Sequence, residues 1–367
     1  MKSRKLFAMA AATLVLGLLS CVREESNSPL VADEYDVTLS FRNVSTRADS
    51  QAATPGAIVG IYDGYLCFVS ANEAITDVYR ITAGATLGKN INRDQLGATP
   101  VELKNIPAAS VKVYMIANVN LQVDLPAPVV GGNMTTFMAK TMTIEEVEPD
   151  YTRVTSTGNA VLAPDAASTN ARKADITLST KISRIQIESI NFAAGISGTV
   201  AGIFINGFYY SMQFNGTPSA LMSTTDPLKY YENGLVDNPL VFSPMRKGKV
   251  FDNVSKPIAS VVTPNNGAWG YNLFTSPSPQ IVIKLTGVAI AGQSLASSTQ
   301  YVTVHGFKNS GGVPITTIEG GMIYTIKVGS LVIKYEHMSL VPGVTPMDVE
   351  ITVSPVTWQE TIIIPDL

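Results

Sequence analysis

One short run constrains this chain more than any other. In Tyr35-Asp36-Val37-Thr38-Leu39-Ser40-Phe41, apolar and polar residues alternate without error. A period of two puts Tyr35, Val37, Leu39 and Phe41 on one face of an extended strand. The run stands alone between two unlike segments. Before it, Lys2, Arg4 and Lys5 precede an apolar run from Leu6 to Leu19, which ends in Leu18-Leu19-Ser20-Cys21. A basic start, a short apolar core and small residues at the cut describe an export signal over residues 1–20. A cysteine directly after it suggests a bacterial lipobox, with the Cys21 thiol carrying the lipid. After the run comes Ser45-Thr46-Arg47-Ala48-Asp49-Ser50-Gln51, polar and with an arginine where a trypsin-like protease could cut. Anchor, strand and cuttable tether in series describe a strand built to be removed, within a propeptide over 21–47.

The rest of the chain supplies what such a strand needs. Charged residues are 15% of the sequence, against roughly 25% in an average globular protein. Thr, Ser, Val and Ile are plentiful, a bias towards β structure. Short strand candidates recur at Ala57–Val69, Val78–Thr82, Val101–Ile106, Val111–Asn118 and Tyr151–Leu162, with a short helix at Thr135–Glu148. Val111–Asn118 is apolar on nearly every residue near its end, as expected of a central strand. The chain turns small and polar around Ala163–Lys173, which suggests a boundary between a domain over 48–172 and another over 173–367. Ile176, Leu178 and Ile182 then share one phase, and Ile185 and Ile187 the other, a slip that a β-bulge near Ser183 would explain. Further strands are expected at Val200–Phe214, Ile258–Thr263, Ile281–Ile290, Tyr301–Phe307 and Met322–Lys334, and little regular structure between Asn215 and Pro257. Short strands at this spacing predict an all-β chain of two β-sandwiches in tandem.

The C-terminal end is also a strand pattern. Val349, Ile351 and Val353 alternate with Glu350 and Thr352. Pro355 interrupts, Val356 and Trp358 resume the alternation, and Ile362, Ile363 and Ile364 follow. Such a strand must be covered. It is either an edge strand of the chain's own second sandwich or a strand given to another molecule.

Little in the sequence advertises chemistry. The two histidines, His305 and His337, lie in unrelated contexts, and no metalloprotease helix, nucleophile elbow or phosphate-binding glycine loop is present. Glu145, Glu146, Glu148 and Asp150 read as a solvated acidic loop, and Gly311-Gly312 and Gly320-Gly321 as turns. No catalytic residue, cofactor or metal site is expected. The formal net charge of −3 does not suggest nucleic acid. No run after the leader approaches eighteen apolar residues, so no later membrane span is expected. With Cys21 lipidated, Cys67 has no partner, and its apolar surroundings suggest a buried, inert thiol.

Taken together, the lipobox at Cys21, the strand Tyr35–Phe41, the tether Thr46-Arg47-Ala48, the Val111–Asn118 and Ile176–Ile190 segments and the terminal Val353, Val356 and Trp358 resemble the fimbrillins. These are the type V pilins of Bacteroidales-type bacteria. The resemblance covers nearly the full chain, as a layout more than a strict motif. It implies two transthyretin-like β-sandwiches, export as an outer-membrane lipoprotein and cleavage after an arginine by an arginine-specific protease. It also implies polymerisation by strand exchange with other copies or other fimbrial subunits at the cell surface, possible ligands being host or bacterial surfaces. In that scheme Val349, Ile351, Val353, Val356, Trp358, Ile362 and Ile364 form the donor strand. An anchored lipoprotein of the same architecture, acting as a fimbrial anchor or glycan-binding adhesin, is the alternative.

Position favours Arg47 as the cut. Arg23 precedes the strand, Arg42 abuts it, and only a cut beyond Phe41 releases it. Burying four apolar side chains in a groove would hold the strand by about 6–12 kcal/mol, an upper estimate.

Overall fold

The computed structural model describes residues 33–42, 61–84, 88–96, 100–119, 126–143, 154–166, 168, 170–221, 251–265, 267–277, 279–343, 346–350 and 352–355. Nearly all of their regular structure is β-strand, as the sequence predicts, with a short helix at Met134–Met138 that is capped by the Asn133 side chain, whose Oδ1 accepts from Thr136 N at 3.0 Å.

The first pair of sheets is built around the early strand. A four-stranded sheet runs in the order Val101–Pro107, Glu34–Arg42, Ala171–Thr177, Ala163–Pro164. Facing it is a six-stranded sheet, ordered Ser179–Thr180, Ser156–Val161, Lys112–Ala117, Gly64–Val69, Ile75–Thr82, Asn90–Asn92. The alternating side chains of the two layers meet in one core, which contains Val37, Leu39, Leu66, Phe68, Met115 and Ile176. Phe68 and Tyr79 pack edge to face there, with ring centroids 5.9 Å apart. Lys112–Ala117 is central in its sheet and apolar on both faces for that reason. Val113, Met115 and Ala117 enter the first core, while Ile116 joins a second.

That second core lies in another pair of sheets. One has the order Trp269–Phe274, Ile182–Ile187, Met322–Ile326, Thr352–Pro355. The other runs Phe251–Pro257, Ile196–Asn206, Gln280–Ile290, Thr299–Lys308, Pro314–Ile315. Ile185, Ile203, Tyr271, Ile283, Val304 and Ile326 are among the buried residues between them. The same apolar cluster takes in Cys67, Val69, Ile116, Met134 and Phe137, so it continues to the outer face of the six-stranded sheet.

The phase slips after Ile176 have a different cause from the expected bulge. The stretch is not one strand but four: Ala171–Thr177, Ser179–Thr180, Ile182–Ile187 and Ile190–Phe192. Ile176 and Leu178 belong to the first core, and Ile182, Ile185, Ile187 and Ile190 to the second. Ile182–Ile187 pairs with Trp269–Phe274 in unbroken register, and every residue of it is buried, so no single apolar face has to be kept. The Ala171–Thr177 strand runs through the small, polar stretch of the sequence, and the chain passes from the first sheet pair to the second between Thr180 and Ile182.

Candidate functional site

The seat of the Glu34–Arg42 strand is the most distinctive site in the fold. This nine-residue strand is interior to its sheet. On one side it runs parallel to Ala171–Thr177, from Asp36 opposite Ala171 to Arg42 opposite Thr177. On the other it runs antiparallel to Val101–Pro107, with Thr38 opposite Glu102. The alternation read from the sequence becomes burial: Tyr35 is 6% exposed, Val37 1% and Leu39 0%. Phe41 is partly buried and packs against the same core. A chain lacking this strand would present two facing strand edges over an apolar floor, which is a template for another strand.

Polar contacts hold the N-terminal end of the strand in its seat. The Tyr35 hydroxyl donates to the Ser110 carbonyl, and Ser110 Oγ lies 2.7 Å from Thr76 Oγ1. The Arg172 guanidinium sits 5.3 Å from the centre of the Tyr35 ring. Burial pushes the Tyr35 phenol above its ordinary value, while the Arg172 charge and the Ser110 bond pull the other way. On the outward face, Lys104 Nζ donates to Asp36 Oδ2 at 2.8 Å, and that bond and charge raise the lysine. Asp36 N donates to Asn170 O at 3.1 Å.

The sequence-predicted C-terminal residues divide into two groups. Pro346–Glu350 pairs in parallel with Thr299–Lys308, and Thr352–Pro355 pairs antiparallel with Met322–Ile326. Val349 is 2% exposed in the second core, and Val353 packs against it. Lys308 Nζ lies 2.7 Å from Asp348 Oδ2, and Gly306 leaves the space that this carboxylate occupies. Ile351, Val356, Trp358, Ile362 and Ile364 lie outside the described residues, as do Cys21, Arg47, Ala48 and the acidic residues of 145–150.

His305 is exposed on its strand, and His337 Nδ1 accepts from Lys334 N at 3.2 Å. Among the described residues no group of three or more His, Cys, Asp and Glu could hold a metal ion, and no helix is long and apolar enough to cross a membrane. Cys67 is fully buried, and burial pushes its thiol up to about 12.

No family model and no curated protein matches the chain. Solved structures do. A candidate cell-adhesion protein from Parabacteroides distasonis is 12% identical, with 90% of this chain and 98% of that one covered at a TM-score of 0.50. The chain shares that fold. A candidate cell-adhesion protein from Bacteroides eggerthii matches at 14% identity, over 88% of this chain and 96% of that one, with a TM-score of 0.49. The tip fimbrial protein Mfa3 from Porphyromonas gingivalis matches at 9% identity, over 88% and 99%, with a TM-score of 0.43. The three are cell-adhesion or fimbrial proteins of Parabacteroides, Bacteroides and Porphyromonas.

Proposed function

We infer that this chain is a structural subunit of a cell-surface fimbria, exported as an outer-membrane lipoprotein through Cys21 and polymerised by donor-strand exchange. One observation carries the reading. The strand at the start of the chain is not an edge strand but an interior one, and it is followed by the tether that contains Arg47. An interior strand fills a groove that must stay closed during export, because open strand edges aggregate. A cut between Arg47 and Ala48 by an arginine-specific protease leaves Glu34–Arg42 held only by its seat. The C-terminal segment of another copy, or of another fimbrial subunit, then takes its place by strand addition.

The pairing of Pro346–Pro355 within its own chain favours a second reading. A subunit that donates no strand, as a fimbrial anchor or glycan-binding adhesin retained on its lipid, would keep both strands seated. The two readings differ at the mature N-terminus, which is Ala48 in a polymerised subunit and lipidated Cys21 in an anchored one. The deciding variant is Arg47→Ala. It is expected to fold, reach the surface and stay uncut and monomeric, whereas the wild type is cut before Ala48 and assembles. Fibres built from uncut Arg47→Ala subunits would overturn the reading.

A further inference from the structure

Residues 347–353 repeat the pattern of residues 35–41. Set side by side, Tyr35-Asp36-Val37-Thr38-Leu39-Ser40-Phe41 and Met347-Asp348-Val349-Glu350-Ile351-Thr352-Val353 share the Asp-Val pair, a hydroxyl residue at the sixth place and an apolar residue at all four inward places. No other stretch of 346–367 offers four apolar, non-proline residues at alternate positions, since a proline or a polar residue interrupts each alternative. The two segments also share an ion pair. Each aspartate pairs with a lysine, Asp36 with Lys104 and Asp348 with Lys308. The backbone pairing differs: Glu34–Arg42 is flanked on both sides in one sheet, whereas Pro346–Glu350 and Thr352–Pro355 lie in two sheets with one partner each.

We propose that residues 347–353 of a second copy enter the groove in the register of residues 35–41, with Asp348 beside Lys104 and Val349, Ile351 and Val353 in the places of Val37, Leu39 and Phe41. The proposal rests on the strand-exchange reading above and fixes its geometry. Neighbouring registers are disfavoured by the backbone. A slip of one residue turns every apolar side chain outward. A slip of two in one direction puts Pro346 at the place of Asp36, whose N–H donates to Asn170 O and for which proline has no donor. A slip of two in the other puts Pro355 at the place of Phe41, inside the ladder opposite Ile176. In the proposed register Asp348 leaves one lysine, Lys308, for another, Lys104, and the segment exchanges single partners in two sheets for two flanking strands in one.

Disulfide trapping between copies tests the register. Thr38 stands opposite Glu102, so the proposal puts Glu350 there. Directly opposed antiparallel residues have Cα atoms about 4.5–5.5 Å apart, within disulfide range. Cut subunits carrying Glu102→Cys are mixed with cut subunits carrying Asp348→Cys, Glu350→Cys or Thr352→Cys and oxidised. The buried Cys67 does not compete, and Cys21 leaves with the propeptide. Covalent dimers are expected from Glu350→Cys and lost from the other two. Thr352→Cys with Asp175→Cys is the second pair, since Ser40 stands opposite Asp175 on the other flank. Dimers at 348 or 352 with 102, or fibres that yield no dimer from either proposed pair, would overturn the register while leaving strand exchange standing. Cut subunits without added cysteines that remain monomeric would overturn strand exchange itself.

Discussion

Tyr35 shows how one residue can serve both closure and release. Its ring is part of the first core, its hydroxyl reaches the Ser110 carbonyl and its face meets Arg172. Burial raises its phenol above the ordinary value of 10.0. A folded-state value above the unfolded one means that the neutral ring contributes stability fully below the unfolded value, and that this is lost as pH rises through the folded one. Tyr35→Phe removes one buried hydrogen bond and should weaken the uncut precursor by about 1 kcal/mol near neutral pH. It should also flatten part of the precursor's loss of stability as pH rises above the ordinary phenol value of 10.0. Urea melts of precursor and variant across that range are the measurement. Some alkaline loss should remain, because burial also pushes Tyr79 up to about 12.

At the scale of the element, the Glu34–Arg42 strand is held mainly by its inward side chains. The Lys104–Asp36 pair is largely exposed, and such pairs contribute little. Leu39 is completely buried at the centre of the strand. Leu39→Ala should therefore cost the precursor about 2–5 kcal/mol. Protein cut at Arg47 and stripped of its strand should melt identically with or without the substitution, since the residue has left. An equal loss in both forms would mean that Leu39 stays seated after cleavage. The inward set Tyr35, Val37 and Leu39 was legible from alternation alone, because the period of a strand is a local property. The Trp269–Phe274 strand was not, since all six of its residues are buried and no period marks them.

For the whole molecule, the two ends of the chain have unlike relations to the fold. The N-terminal strand closes the first pair of sheets, while residues 346–355 border both sheets of the second. Removal of residues 346–367 takes away the described pairings of Pro346–Glu350 and Thr352–Pro355. It also takes away Val349, buried opposite Phe307, and Val353, opposite Tyr324. That truncation should lower the melt, by about 1.5–3 kcal/mol for Val349 alone, and should abolish assembly of cut subunits. Calorimetry of that truncation, with light scattering after cleavage, measures both outcomes.

The sequence by itself determined the all-β class, the inward face of the early strand and the buried thiol of Cys67. Each of these follows from local composition or from a period of two. The tertiary structure decided which strands are neighbours. Ala171–Thr177, a small and polar stretch as sequence, becomes the parallel wall beside Glu34–Arg42 because Ala174 and Ile176 turn inward while Lys173 and Asp175 face out. Pairing joins residues far apart along the chain, and backbone hydrogen bonds carry no side-chain signature. Whether an apolar strand ends at an edge, in an interior seat or between two sheets is therefore settled only when all of its partners have folded.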